Sequence, residues 1–116
     1  MLLPEYDDQD ATGLAELVRT RQLSARELVD AAIAHIEARN PALNAVVHTQ
    51  FERARREAQH AGAGSFAGGP FLLKDLFAEE AGEPSTGSCQ LGSAWRADRD
   101  SELVARYKRA GLIILG

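Results

Sequence analysis

Cysteine, excess positive charge and long apolar runs are all scarce in these 116 residues, and each scarcity closes a class of explanation. The single cysteine, Cys89, has no partner with which to close a disulfide inside the chain. A reducing compartment, the cytoplasm, is therefore expected. No run approaches the roughly 18 apolar residues of a spanning helix. The opening Met1-Leu2-Leu3-Pro4-Glu5 lacks the basic start and apolar stretch of a secretory signal. The formal net charge is −4, and the eleven arginines and two lysines are dispersed among acidic residues. A nucleic-acid partner, which requires a basic face, is not expected. With so few thiols and imidazoles no metal-ligand spacing occurs, and neither a metal nor a cofactor is expected. The composition that remains, 45% hydrophobic and 26% charged, is that of a globular domain rather than a disordered tail.

Along the chain, residues 1–11 are acidic and aperiodic and are expected to form a loose arm. Asp10 or Thr12 can cap a short helix carrying Leu14, Leu17 and Val18. Ser24-Ala25-Arg26-Glu27 is a capping box, and Leu28, Ala32 and Ile36, flanked by Val29 and Ile33, place an apolar stripe on the helix it opens. That helix is expected to stop near Asn40, because Asn40-Pro41 disfavours the helical region. Residues 44–49 read as a strand and residues 51–61 as a charged helix. A glycine-rich loop leads to Phe71-Leu72-Leu73, read as a buried strand. Residues 78–99 read as a long loop, and Asp100 as the cap of a helix over residues 101–110. Gly111 falls where a left-handed residue ends a helix. Leu112-Ile113-Ile114-Leu115 is a fully apolar strand, whose cover is expected largely from downstream residues or another chain. Strands separated by helices make the fold class α/β, a mixed sheet covered by helices. Gly62-Ala63-Gly64-Ser65-Phe66-Ala67 fits G-x-G-x-x-[GA], but nucleotide binding needs a strand before it and a helix after it. Here the order is reversed.

Lys74 is the most informative position. Directly after Phe71-Leu72-Leu73 it should lie near the interior, where an isolated ammonium is costly. Either a carboxylate pairs with it, or it gives up its proton and becomes a lysine base. The alternative is an amine that snorkels to water from a strand end.

Gly68-Gly69-Pro70-Phe71-Leu72-Leu73-Lys74-Asp75-Leu76 resembles the segment G-x-P-[FV]-x-x-K-D of the amidase-signature family. The resemblance continues through Gly82, through Pro84-Ser85-Thr86-Gly87-Ser88, and through Asp100-Ser101-Glu102-Leu103-Val104 to Ala110-Gly111-Leu112-Ile113-Ile114-Leu115-Gly116. Upstream it takes in Leu23-Ser24-Ala25-Arg26-Glu27-Leu28-Val29 and Asn40-Pro41-Ala42-Leu43-Asn44-Ala45. The wording is nearest the branch of broad amidases and cyclic-dimer hydrolases. The resemblance implies an amide hydrolase with a Ser–cis-Ser–Lys triad, in which Lys74 is the base. Both serines are expected downstream, so residues 12–116 are expected to be the N-terminal portion of an amidase domain, incomplete at its C-terminus and inactive alone. A non-catalytic role, or one like the amidotransferase A subunit acting in a complex, is the competing expectation.

Other candidates carry less. Ser85, Thr86, Ser88 and Ser93 follow Lys74 in a loop, and one hydroxyl could bond its amine. Thr86 and Ser88 are the substrate-binding candidates, against an ordinary turn-forming role. Asp75 should point away from Lys74 by strand alternation and fix local backbone rather than transfer protons. Cys89 with His35, His48 or His60 would make a thiol hydrolase only by spatial proximity, and no family pattern surrounds it. The expected partners are a small-molecule amide, no nucleic acid and no membrane. A second copy of the chain, or the remainder of the amidase chain, completes that expectation.

Overall fold

The computed structural model describes residues 6–116, so part of the expected arm, residues 1–5, lies outside the described residues. Tyr6–Asp8 form a 3-10 turn. The Tyr6 ring stacks on His35 at 4.8 Å and 23°, and Arg39 pairs with Asp7 at 2.8 Å. Helix α1 spans Ala11–Arg19, with the Asp10 carboxylate accepting from the Gly13 amide. Helix α2 spans Ala25–Leu43 behind the complete capping box. The Ser24 hydroxyl accepts from the Glu27 amide at 3.2 Å, and the Glu27 carboxylate from the Ser24 amide at 2.9 Å. Ser24→Ala is expected to cost about 1 kcal/mol, measured as a lower urea midpoint of the chain. An unchanged midpoint would show that the box contributes nothing.

Two boundaries differ from the sequence expectation. Helix α2 runs through Pro41 for three further residues, because the bias before proline is a preference rather than a block. It ends on Asn44, left-handed at φ 49°, whose amide donates to the Asn40 carbonyl at 2.7 Å. Residues 44–49 are not a strand. The Asn40 side chain takes both backbone groups of Val46, each at 2.8 Å, and so occupies the donor and acceptor a sheet would use. Val47 is left exposed.

Helix α3, Phe51–Ala58, is three residues shorter than expected and closes with tightened bonds from the Gln59 and His60 amides. Ala54 and Ala58 let it approach α2 closely, and with Val29, Ala32 and Ile33 they form the core. Asp30 on α2 accepts from both Arg26, at 2.7 Å, and Arg55 on α3, at 2.8 Å.

The sheet is a parallel pair, β1 (Pro70–Phe71) beside β2 (Ile113–Ile114), with Pro70 opposite Ile113. The amides of Ile113 and Leu115 donate to the carbonyls of Gly69 and Phe71 at 2.7 and 2.8 Å. Ile113 and Leu115 point into the core of α2 and α3. Together with Ile114 they are at most 4% exposed. That run is therefore buried by the chain itself, contrary to the expectation that its cover lies elsewhere. The carbonyl of Leu115 also accepts from the Gln50 amide at 2.8 Å. The order of helix α3, glycine loop and β1 is the one that argues against nucleotide binding.

The chain divides into two compact units, residues up to Leu72 with Ala110–Gly116, and Leu73–Arg109. The core above belongs to the first. The second holds helix α4, Glu102–Arg109, and the long loop. The loop is drawn together by a single parallel bridge, Ala81 with Ala97, and a 3-10 turn at Gln90–Gly92. Ser101, not Asp100, supplies the cap of α4: its hydroxyl accepts from the Val104 amide at 3.3 Å. Asp100 is committed elsewhere, accepting from the Ala81 amide at 2.9 Å and from Lys108 at 3.0 Å. Among the described residues, no helix is long and apolar enough to cross a membrane.

Candidate active site

Strand β1 ends at Phe71, so residues 72–74 lie beyond the ladder. Leu72 is 43% exposed rather than buried, and Lys74 is exposed rather than interior as expected. The shortness of β1 is the reason, since among the described residues no strand pairs with the backbone of residues 72–74. No hydrogen bond or ion pair joins Lys74 to a described residue. The hydroxyls of the following loop do not bond its amine. Thr86 donates its hydroxyl to Asp75 instead, and Ser88 is exposed.

Asp75 organises this unit. Its carboxylate accepts from the Thr86 amide at 2.6 Å, from the Thr86 hydroxyl, and more distantly from the Ser88 amide at 3.4 Å. The Gly87 amide donates to the Asp75 carbonyl at 3.1 Å. The amides of residues 86 and 88 thus reach the Asp75 carboxylate while that of residue 87 takes its backbone carbonyl, so three successive amides tie this residue down. The Thr86 hydroxyl and then its amide hold the Asp75 carboxyl below the usual carboxylate range, outweighing its partial desolvation. Ser88 adopts φ 62°, a left-handed backbone uncommon outside glycine. The expectation that Asp75 fixes local backbone agrees with these bonds. Of the two substrate-binding candidates, Thr86 is half-buried with its hydroxyl committed, and Ser88 presents an exposed side chain.

A second anchor holds the far part of the loop. The Glu80 side chain is 1% exposed, and Lys108 of α4 stands 2.9 Å from its carboxylate and 3.0 Å from Asp100. Burial alone would lower the Lys108 pKa, but the two carboxylates raise it. Sequence reading missed this pairing, because residues 28 positions apart leave no local pattern. The convergence on Asp75 had a partial signal in Thr86-Gly87-Ser88, residue types that bend the chain and accept or donate locally.

Elsewhere, a cavity of about 350 Å³ in the first unit is lined by apolar side chains including Ile36, Leu43, Val46 and Phe71. His35 stacks on Tyr6 and Cys89 is exposed. Among the described residues, no group of three or more His, Cys, Asp or Glu could hold a metal ion.

Comparison with known proteins accords with this geometry. The profile of the family described as Amidase matches residues 27–116. The chain is 48% identical over 110 residues to the 6-aminohexanoate-cyclic-dimer hydrolase of Paenarthrobacter ureafaciens, covering 93% of this chain and 22% of that protein. It superposes on a structure of 6-aminohexanoate cyclic dimer hydrolase complexed with substrate at TM-score 0.88 and 45% identity, covering 98% of this chain and 23% of the other. A bacterial aryl acylamidase of the amidase-signature enzymes gives TM-score 0.84 at 36% identity, covering 93% and 24%. The chain therefore spans about a fifth of the length of these relatives. The motifs around Lys74, the parallel β1–β2 pair and these matches agree: the chain belongs to the amidase-signature family.

Proposed function

We propose that this chain is the lysine-bearing portion of an amide hydrolase, and that Lys74 is its general base. The observation that carries the reading is Lys74 itself. It stands at the lysine position of the G-x-P-F-x-x-K-D motif, with an amine bonded to no described residue and with its neighbouring carboxylate already engaged. In the whole protein, residues beyond position 116 supply a serine in a cis peptide and a second, nucleophilic serine. Uncharged Lys74 draws a proton through the first serine and the second attacks the amide carbon. The amine leaves with a proton, and water then hydrolyses the acyl-enzyme to the acid. Backbone amides beside the nucleophile hold the oxyanion.

This scheme needs a dry amine. Leu76 and Phe77, which follow Lys74, are 45% and 80% exposed, and covering them in the whole protein would remove water from its surroundings. Loss of water favours the uncharged form of a lysine. The substrate is a small carboxylic amide, and the cyclic-dimer hydrolase relatives make cyclic and linear amides of amino acids the first to test. A cytoplasmic setting accords with the lone, exposed Cys89. The 116-residue chain alone is expected to hydrolyse no amide, whereas the whole protein releases amine and acid in equal amounts from at least one such substrate. Turnover by the isolated chain would overturn the division of the triad. No turnover by the whole protein on any amide would overturn the enzymatic reading in favour of a binding or subunit role.

A further inference from the structure

We infer that Asp75, together with the Thr86 it holds, is the positioning pair that sets the Lys74 amine for proton transfer. This rests on the reading of Lys74 as the base. Residues 74 and 75 share one peptide plane, so whatever fixes Asp75 fixes the origin of the Lys74 side chain. Asp75 is fixed at both ends. Its carboxylate accepts from the Thr86 amide and hydroxyl and the Ser88 amide, and its carbonyl from the Gly87 amide. The left-handed backbone at Ser88 is maintained against its intrinsic cost, a sign that the surrounding bonds determine the turn.

The same bonds serve a second purpose. A carboxylate next to a lysine can pair with it and hold it charged, which would disable a base. Here the lone pairs of Asp75 are directed to Thr86 and Ser88, and no ion pair joins Lys74 to a described residue. Thr86 thereby keeps the carboxylate adjacent to Lys74 in the sequence occupied. Its hydroxyl donates to Asp75 and accepts from the Ser88 amide, so it closes the turn from both directions. Valine has the same shape as threonine but can do neither.

The test is kinetic, in the whole enzyme. Thr86→Val and Asp75→Asn are each expected to lower kcat by about 10- to 100-fold, the cost of misplacing a reacting group by an ångström or less, with KM within about twofold of wild type. Thr86→Ser, which keeps the hydroxyl, is expected to restore kcat to within about threefold of wild type. In the double variant Lys74→Ala with Thr86→Val, no loss beyond that of Lys74→Ala alone is expected, because the threonine acts through the lysine. Should Thr86→Val fail to fold, Asp75→Asn, similar in shape but without the anion, carries the same comparison.

Three results would overturn the inference: near-wild-type kcat in Thr86→Val and Asp75→Asn, losses confined to KM, or a further multiplicative loss in the double variant. Failure of the two readings is distinguishable. If Lys74→Ala keeps turnover, Lys74 is not the base. If Lys74→Ala abolishes turnover while Asp75→Asn runs at the wild-type rate, the base stands and only its positioning by Asp75 falls.

Discussion

Lys74→Ala in the whole enzyme is expected to lower kcat by two orders of magnitude or more, given the roughly 10²- to 10⁴-fold contribution of a positioned general base. Stability gives no competing explanation within this chain. Lys74 is exposed and bonded to no described residue, so its removal should change the unfolding free energy of the chain by under about 0.5 kcal/mol. Lys74→Arg sharpens the result. A guanidinium stays charged and cannot accept a proton, so it should be as slow as alanine if the amine is a base. It should recover part of the rate if the amine merely supplies positive charge. Steady-state amine release on a good amide substrate, with the unfolding midpoint of each variant measured in parallel, decides between them. Turnover near wild type in Lys74→Ala would remove the lysine from the mechanism.

How much of this was legible in the sequence depends on whether the signal was local. The capping box at Ser24 and Glu27 and the cap at Asp10 are satisfied within three residues, and both are present as read. The left-handed residue at Gly111 and the apolar β2 were likewise legible. Several of the expectations that differ turned on a group elsewhere in the chain. Residues 44–49 have a strand's composition, but the Asn40 side chain takes the backbone of Val46 first. Asp100 has a capping side chain, but Ala81 and Lys108 use it, and Ser101 caps instead. Phe71-Leu72-Leu73 has the apolar content of a buried strand, but only Phe71 of the three reaches the ladder. Apolar content specifies what a segment would bury, not how many partners are within reach. The candidate base was found by motif, since Lys74 has no partner among the described residues that physics alone could have identified. The bonds at Asp75 were partly legible, because turn-forming types mark the loop but not the residue on which their amides converge.

Gly111→Ala is expected to be strongly destabilising, at about 3–5 kcal/mol, combining positive-φ strain with overpacking against backbone. Gly111 holds φ 93°, and a Cβ there would lie 2.6 Å from the Ala67 Cα and 2.8 Å from its nitrogen. That contact is with backbone, so no rotamer can relieve it. The surrounding bonds would have to yield: the Gly68 amide on the Gly111 carbonyl at 3.0 Å, and the Phe66 amide on the Ala110 carbonyl at 2.8 Å. These tie the approach to β1 against the approach to β2, so the damage reaches the sheet that precedes Lys74. Two other glycines separate the contributions. Gly82 has φ 79° with no atom within 4 Å of an added Cβ, so Gly82→Ala should show the backbone cost alone, about 1–2 kcal/mol. Gly62 has neither constraint, and Gly62→Ala should be neutral or stabilising by up to about 1 kcal/mol through the unfolded state. Equilibrium urea unfolding of the three variants, compared at constant m value, gives the ordering directly. If Gly111→Ala fell within about 1 kcal/mol of Gly82→Ala, the Ala67 backbone would be able to retreat, and the close packing of residues 64–69 against 110–111 would not be what holds β1 and β2 in register.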